Sequence, residues 1–425
     1  MKSYRVRADV DAMNVLFLSE VYPPHGSGAE LATQYYAELL SQNQINVTIL
    51  TNRFDGELSF EKRQNLTIHR LAMFGDSGSI KYSILKRPDV LFSNTFSKLL
   101  NWADIVYVPR FWFSAILFAK ARGKRVIAHL HDYIPICSLS SIHNEKRNEF
   151  CKGSKFSCPG CIYCFENVRG RSIKEILSSI FLNSSIGQYF PKIIQFADAV
   201  ICVSEAQKKL IVEKLPSLHD KIRVIYNPFP KFSEDTELGN DFGYFGGTDP
   251  LKGFSVLLDS MIYLNSRSDQ IKIHATKIQS ANNDFNKKLN KIGFLTHGKL
   301  QKKEFESIYA QVKGVLIPSI WPEPWPYVVV EALVRGRMVV GSEIGGIPEQ
   351  VKGCKGAYLT KAGSFRALAS SIEFVNNLSQ AEIFELGKQN RDTFLRKFNN
   401  DSSVSDFIHV CENLKNSQSN VILKN

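Results

Sequence analysis

The chain has 425 residues, too many for one ordinary hydrophobic core, so two domains are expected. Its 44% apolar and 22% charged residues are those of a soluble globular protein, and no low-complexity tract is present. No apolar run reaches the roughly 18 residues that a membrane-spanning helix needs, and the polar segment 1–12 is not a secretory signal.

The net charge is +12 and is unevenly placed. Residues 1–228 carry 29 Lys and Arg against 20 Asp and Glu, whereas residues 229–425 carry 24 against 21. A basic first half suits an anionic membrane surface, a phosphorylated lipid or a nucleic acid; its plain alternative is a solvated surface. The basic residues are dispersed, without an aromatic stacking platform, so no nucleic-acid partner is expected.

In chain order, residues 13–19 form an apolar strand ending in Pro23-Pro24-His25-Gly26-Ser27-Gly28, and a helical pattern begins near Ala29. Further strands are expected at 45–51, 68–71, 105–108, 125–130 and 199–203, with helical stretches between several of them. Nearly continuous apolar strands alternating with helices imply a parallel sheet covered on both faces. Ligands of such sheets bind beyond the carboxyl ends of the strands. Asn227-Pro228-Phe229-Pro230 and the polar stretch to Asp241 read as a linker. The pattern then restarts, with strands at 242–245, 271–275, 314–317 and 338–341 and a helix at 254–264. A last amphipathic helix covers 404–415.

The segment 318–333 places Glu323 among three prolines and two tryptophans, and an apolar helical run then leads to Glu331. A loop carboxylate, a helix N-terminus with unbonded N–H groups and a second carboxylate can grip a sugar nucleotide. Solvated acids around a tight turn are the plain alternative. Gly28 lets the backbone approach a ligand closely at the first strand–helix turn. His131, followed by Asp132, stands at a strand end, and Lys252-Gly253 opens the second domain.

Five of eight cysteines fall between Cys137 and Cys164. Cys158-Pro159-Gly160-Cys161 has the spacing of a metal knuckle, and Cys137 with Cys151 would complete four thiolates around a structural zinc. Free thiols or disulfides are the alternatives. Residues 171–181 can form an amphipathic helix with Ile173, Ile176, Leu177, Ile180 and Phe181 on one face and Arg169, Arg171 and Lys174 nearby. It either packs on the sheet or meets a membrane.

The order and spacing of these motifs, closed by Gly345-Gly346-Ile347-Pro348-Glu349, resemble glycosyltransferase family 4 from about residue 14 to 399. The resemblance implies a GT-B fold. It places an acceptor-binding Rossmann-like domain at 1–228, a nucleotide-sugar-binding one at 229–398, and a helix at 399–425 returning to the first domain. It also implies a cytoplasmic, retaining transferase that takes a sugar from a nucleotide-diphosphate donor to a glycan or polyprenyl-linked acceptor, at the inner face of the cell membrane. His131 and Glu323 would then touch the transferred sugar. Lys252 would hold the donor phosphates, the backbone at Trp325, Pro326, Tyr327 and Val328 would meet the diphosphate, and Glu331 would hold the ribose hydroxyls. No catalytic metal is expected.

This chain departs from the family pattern in two places. Gly247 stands where the family has an arginine, leaving Thr248 or Lys277 to supply the contact, and Pro326 lacks an N–H. A same-fold nucleotide-sugar epimerase and a binding protein without catalysis are the rival readings.

Overall fold

The computed structural model describes residues 13–74, 89–144, 149–151, 158–185, 187–231, 238–266, 271–278 and 283–422. The chain divides into two compact units. One comprises residues 1–140, 153–229 and 400–425, and the other 141–152 and 230–399.

The first unit contains strands β1 (Asn14–Leu18), β2 (Asn46–Asn52), β3 (Phe60–Arg63), β4 (Leu66–Leu71), β5 (Ile105–Val108) and β6 (Arg125–Leu130). Between β6 and the next long strands lie the two-residue strands β7 (His143–Asn144) and β8 (Glu149–Phe150), paired antiparallel and grouped with the second unit. Strands β9 (Ala199–Cys202) and β10 (Ile222–Val224) complete an eight-stranded sheet of order β10-β9-β6-β5-β1-β2-β4-β3. Every pairing in it is parallel except the edge pair β3–β4. β5 is buried along its whole length, as a strand covered on both faces must be.

Helix α1 (Gly28–Gln42) follows β1. The Glu30 carboxylate accepts from the Ser27 N–H (2.7 Å) and hydroxyl (3.2 Å), closing the first turn. Its Tyr36, Ala37 and Leu40 enter the core with Phe17, Tyr107, Ile127 and Ile201. The terminal helix Asn400–Ile422 belongs to the same core. Phe407 lies 5.2 Å from the rings of both Tyr36 and Tyr107, and Asn400 exchanges hydrogen bonds with the Phe229 backbone.

The second unit holds a parallel six-stranded sheet of order β13-β12-β11-β14-β15-β16. Its strands are β11 (Asp241–Tyr244), β12 (Ile273–Ala275), β13 (Phe294–Thr296), β14 (Val312–Ile317), β15 (Met338–Ser342) and β16 (Ala357–Thr360). Between β14 and β15 runs a helix at Tyr327–Val334 that buries Val329, Val330, Ala332 and Leu333. Each large aliphatic side chain so buried contributes about 1.5–3 kcal/mol, which fixes the helix, and therefore Glu331, on the sheet.

Candidate active site

In the second unit, one loop is held from both sides. The turn at Asp249–Gly253 is capped by the Asp249 carboxylate, which accepts from the Leu251 N–H at 2.9 Å. The Leu251 carbonyl accepts from the Ile320 N–H at 3.0 Å, which ties this turn to the loop after β14. On the other side, the Gly346 N–H donates to the Glu323 carbonyl at 2.8 Å. Gly345 (φ +60°) packs so tightly on Pro322 and Glu323 that a β carbon would overlap their backbone. Gly345, after β15, is thus required by the position of Glu323.

Glu323 is 4% exposed. One carboxylate oxygen accepts from Lys252 Nζ at 2.5 Å, and the other from the Ser319 hydroxyl. The Lys252 ammonium also lies 5.6 Å from the Trp321 ring centroid. Pro326 occupies the N-cap of the following helix, outside its first turn. Tyr327 and Val328 open that helix, and the Val329 N–H donates to the Pro326 carbonyl at 3.1 Å. The first-turn N–H groups of a helix have no intrahelical acceptor four residues back, so this end is positive in potential. Trp325 is buried and packs edge-on against Phe398, with centroids 5.0 Å apart.

Glu331 lies one helical stretch further on and accepts from the Tyr309 hydroxyl at 3.3 Å. Burial pushes its carboxyl up to about 7, against the opposing charge of Arg335. Arg335 is itself stacked 4.3 Å from the Tyr309 ring centroid and paired with Glu306 at 2.6 Å. Tyr309 and Arg335 were not marked by any sequence motif; they brace Glu331.

Gly247 takes φ +66°, and a β carbon there would stand 3.2 Å from Lys277 Cβ. Lys277 follows β12 at φ +59°, rare for a residue with a side chain. Its N–H donates to the Gly298 carbonyl at 3.1 Å. Burial and the neighbouring charge of Lys252 lower its pKa, while Glu331 acts in the opposite sense. Lys277 is therefore held against Gly247, within the electrostatic reach of both Lys252 and Glu331. Thr248 is exposed beside Gly247.

In the first unit, polar groups gather where β1, β5 and β6 end. His131 follows β6; its Nδ1 lies 3.5 Å from Asn227 Nδ2, and its buried Nε2 has no hydrogen-bond partner. Burial and the Arg110 charge lower its pKa to about 3, so the ring is neutral at physiological pH. His129 stacks on it at 4.3 Å, and His129 Nδ1 is hydrogen-bonded to the Tyr107 hydroxyl at 2.6 Å. Asp132 shapes the turn by accepting from the Ile134 N–H at 2.8 Å. Arg110, after β5, pairs with Glu30. Glu20, after β1, is 1% exposed, its Oε1 is unpartnered, and burial raises it to about 7. Sequence reading missed Glu20 and Arg110, although polar residues directly after parallel strands are where such signals lie. Gly28 is the first residue of α1, and the positive φ of that turn belongs to Gly26 (φ +102°).

Among the described residues, no group of three or more His, Cys, Asp or Glu side chains is placed to hold a metal ion. Cys158 is exposed at the N-cap of helix α2 (Pro159–Val168), whose first turn carries Cys161. Residues 152–157, between Cys151 and Cys158, lie outside the described residues.

Residues 26–230 match the family described as Glycosyltransferase Family 4, and residues 239–376 match Glycosyl transferases group 1. Each half of the chain thus matches a glycosyltransferase family model. No curated protein matches the chain in sequence. Among solved structures, it is similar to sucrose-phosphate synthase from Thermosynechococcus elongatus. That match has 14% identity and a TM-score of 0.70, covering 95% of this chain and 100% of that one. It is also similar to Anabaena HepE in complex with UDP and glucose, with 17% identity and a TM-score of 0.60 over 94% and 99%. A third is the catalytic domain of starch synthase IV from Arabidopsis thaliana bound to ADP and acarbose, with 13% identity and a TM-score of 0.62 over 96% and 100%. At these identities the likeness is one of fold: two α/β domains with parallel sheets, the GT-B architecture.

Proposed function

We propose that this glycosyltransferase moves a sugar, with retention of anomeric configuration, from a nucleotide-diphosphate sugar to a glycan or polyprenyl-linked acceptor. The reading places it at the inner face of the cell membrane, in contact with anionic lipid. The observation that carries it is the buried Glu323, paired with Lys252 at 2.5 Å directly before a helix N-terminus whose helix bears Glu331. UDP, UDP-glucose and ADP in the structural relatives support a nucleotide donor here.

Each residue then has a task. Glu331 accepts from the two ribose hydroxyls, which a carboxylate can do bidentately. The N–H groups at Tyr327 and Val328 face the diphosphate, with Trp325 fixing the loop and Pro326 contributing no donor. Lys252 and Lys277 neutralise the diphosphate, with Thr248 and the open backbone at Gly247 beside it. Glu323 and the neutral His131 hydrogen-bond hydroxyls of the transferred sugar. The acceptor hydroxyl oxygen bonds to the anomeric carbon on the face from which the diphosphate departs. The anomeric carbon–phosphate oxygen bond breaks, the diphosphate leaves with that electron pair, and the hydroxyl proton passes to a leaving phosphate oxygen. Lys252 stabilises the charge that develops there.

Incubation with a panel of radiolabelled nucleotide sugars, followed by NMR of the product's anomeric proton, tests this. Transfer or slow donor hydrolysis with retained configuration is expected. An inverted product overturns the mechanism, and an epimerised nucleotide sugar overturns the transferase reading. Gly247 and Pro326, which thin the phosphate contacts, favour one second reading: a nucleotide-sugar-binding protein without catalysis. Tight nucleotide binding with no turnover of any donor would establish it.

A further inference from the structure

Helix α3 (Ile173–Ser185) presents an apolar stripe to solvent. Ile173, Leu177 and Phe181 recur every four residues and are 64%, 60% and 69% exposed. The same helix buries Ile176 and Asn183, and it is fastened to α2 by a 2.7 Å hydrogen bond from the Ser179 hydroxyl to Glu166. The stripe adjoins the packed face, so the apolar side of α3 is wider than its packing uses. Single exposed apolar residues are ordinary, but a contiguous stripe is not. Among the described residues, seven of the fifteen exposed large hydrophobic side chains fall between Tyr163 and Phe196, which sets this segment apart from the rest of the surface.

The charges around the stripe select its partner. Lys174 follows Ile173 on the helix and, among the described residues, forms no ion pair. Arg171, exposed just before the helix, pairs with Glu175 at 3.3 Å. Arg169, over the Phe165 ring, and Lys192, near the Tyr189 ring, add positive charge beyond the helix ends. An anionic bilayer suits this face, since it takes apolar side chains at the acyl boundary and cations at the phosphates.

We propose that α3 docks on an anionic lipid surface, with Ile173, Leu177 and Phe181 inserted and Lys174, Arg171 and Arg169 at the headgroups. This extends the lipid-linked acceptor reading above and gives the membrane contact an address.

Co-sedimentation of the full chain with vesicles of phosphatidylcholine, alone or mixed with phosphatidylglycerol, tests it. The native protein should bind the mixed vesicles at low salt and release them as salt rises. Ile173→Ser, Leu177→Ser and Phe181→Ser together should weaken binding roughly a hundredfold without lowering the melting temperature. Lys174→Glu with Arg171→Glu should abolish the preference for anionic vesicles. The proposal is overturned if the native protein ignores anionic vesicles or if the triple variant binds them as before. It is also overturned if the triple variant instead converts a native dimer to monomer in sedimentation velocity. The triple variant should still bind nucleoside diphosphates. A native protein that binds vesicles but no nucleotide would sink the donor-site reading and leave the lipid surface standing.

Discussion

Replacing Lys252 with methionine keeps the aliphatic stem and removes the ammonium 2.5 Å from Glu323. The carboxylate then keeps the Ser319 hydroxyl but loses its countercharge at a place only 4% open to water. Breaking a buried pair by removing one partner costs about 3–5 kcal/mol. The lysine end is 35% exposed, so water screens the interaction and about 2 kcal/mol is the better figure. At roughly 2–4 °C per kcal/mol, the melting transition of the second unit should fall by about 4–8 °C. Calorimetric scans of K252M, E323Q and the double variant would measure it. The double variant leaves no unpaired charge and should recover at least half of the loss. A K252M protein that melts with the native one, or a double variant whose loss equals the sum of the singles, would refute the idea that Glu323 is held by this pair.

Four further outcomes follow from the buried charges and the glycine turn. Glu331 is raised to about 7, so its ionised form carries a penalty in the unliganded fold. That penalty is absent below the unfolded carboxylate value, grows as pH rises and is complete above about 7. Hydroxyls donated by a ribose favour the carboxylate, so nucleotide affinity should rise roughly tenfold between about pH 6 and 8, and E331Q should flatten the profile in calorimetric titrations. Glu20 obeys the same sign rule. E20Q should raise the stability of the first unit by up to about 3 kcal/mol near pH 8 and by far less near pH 5; an equal effect at both would refute its buried ionisation. G247A should cost about 1–2 kcal/mol in denaturant unfolding through its positive φ, whereas K277A should lower diphosphate affinity with little change in stability.

Much of this architecture is legible in the residues because the strands are short, continuous apolar runs. Residues 105–108 and 125–130 match β5 and β6 end for end, since burial on both faces makes them mainly apolar runs, with His129 the polar residue inside β6. β3 (Phe60–Arg63) escapes notice because an antiparallel edge strand can be mostly polar and exposed. β16 is half-buried throughout and shows no run either.

In the site, motif spacing singles out Glu323, Lys252 and Glu331, but it cannot show that Lys252 and Glu323 are partners, because that depends on a loop clamped by Gly345 and Gly346. Glu20 and Arg110 look like ordinary loop residues until the strand order places β5 beside β1 and β6 beside β5. Pro326 reads as a first-turn residue but lies one position outside the helix, so its missing N–H falls at the N-cap. The cysteine spacing suggests a metal because thiolate ligands recur at such intervals.

The central claim is that the second unit binds a nucleoside diphosphate between Lys252 and Glu331. Isothermal titration of native, K252A and E331A proteins with UDP, ADP and GDP tests it most directly. One diphosphate should bind the native protein, with each substitution weakening it at least roughly tenfold. Binding undiminished in both variants, or no binding of any nucleoside diphosphate to the native protein, would contradict the account.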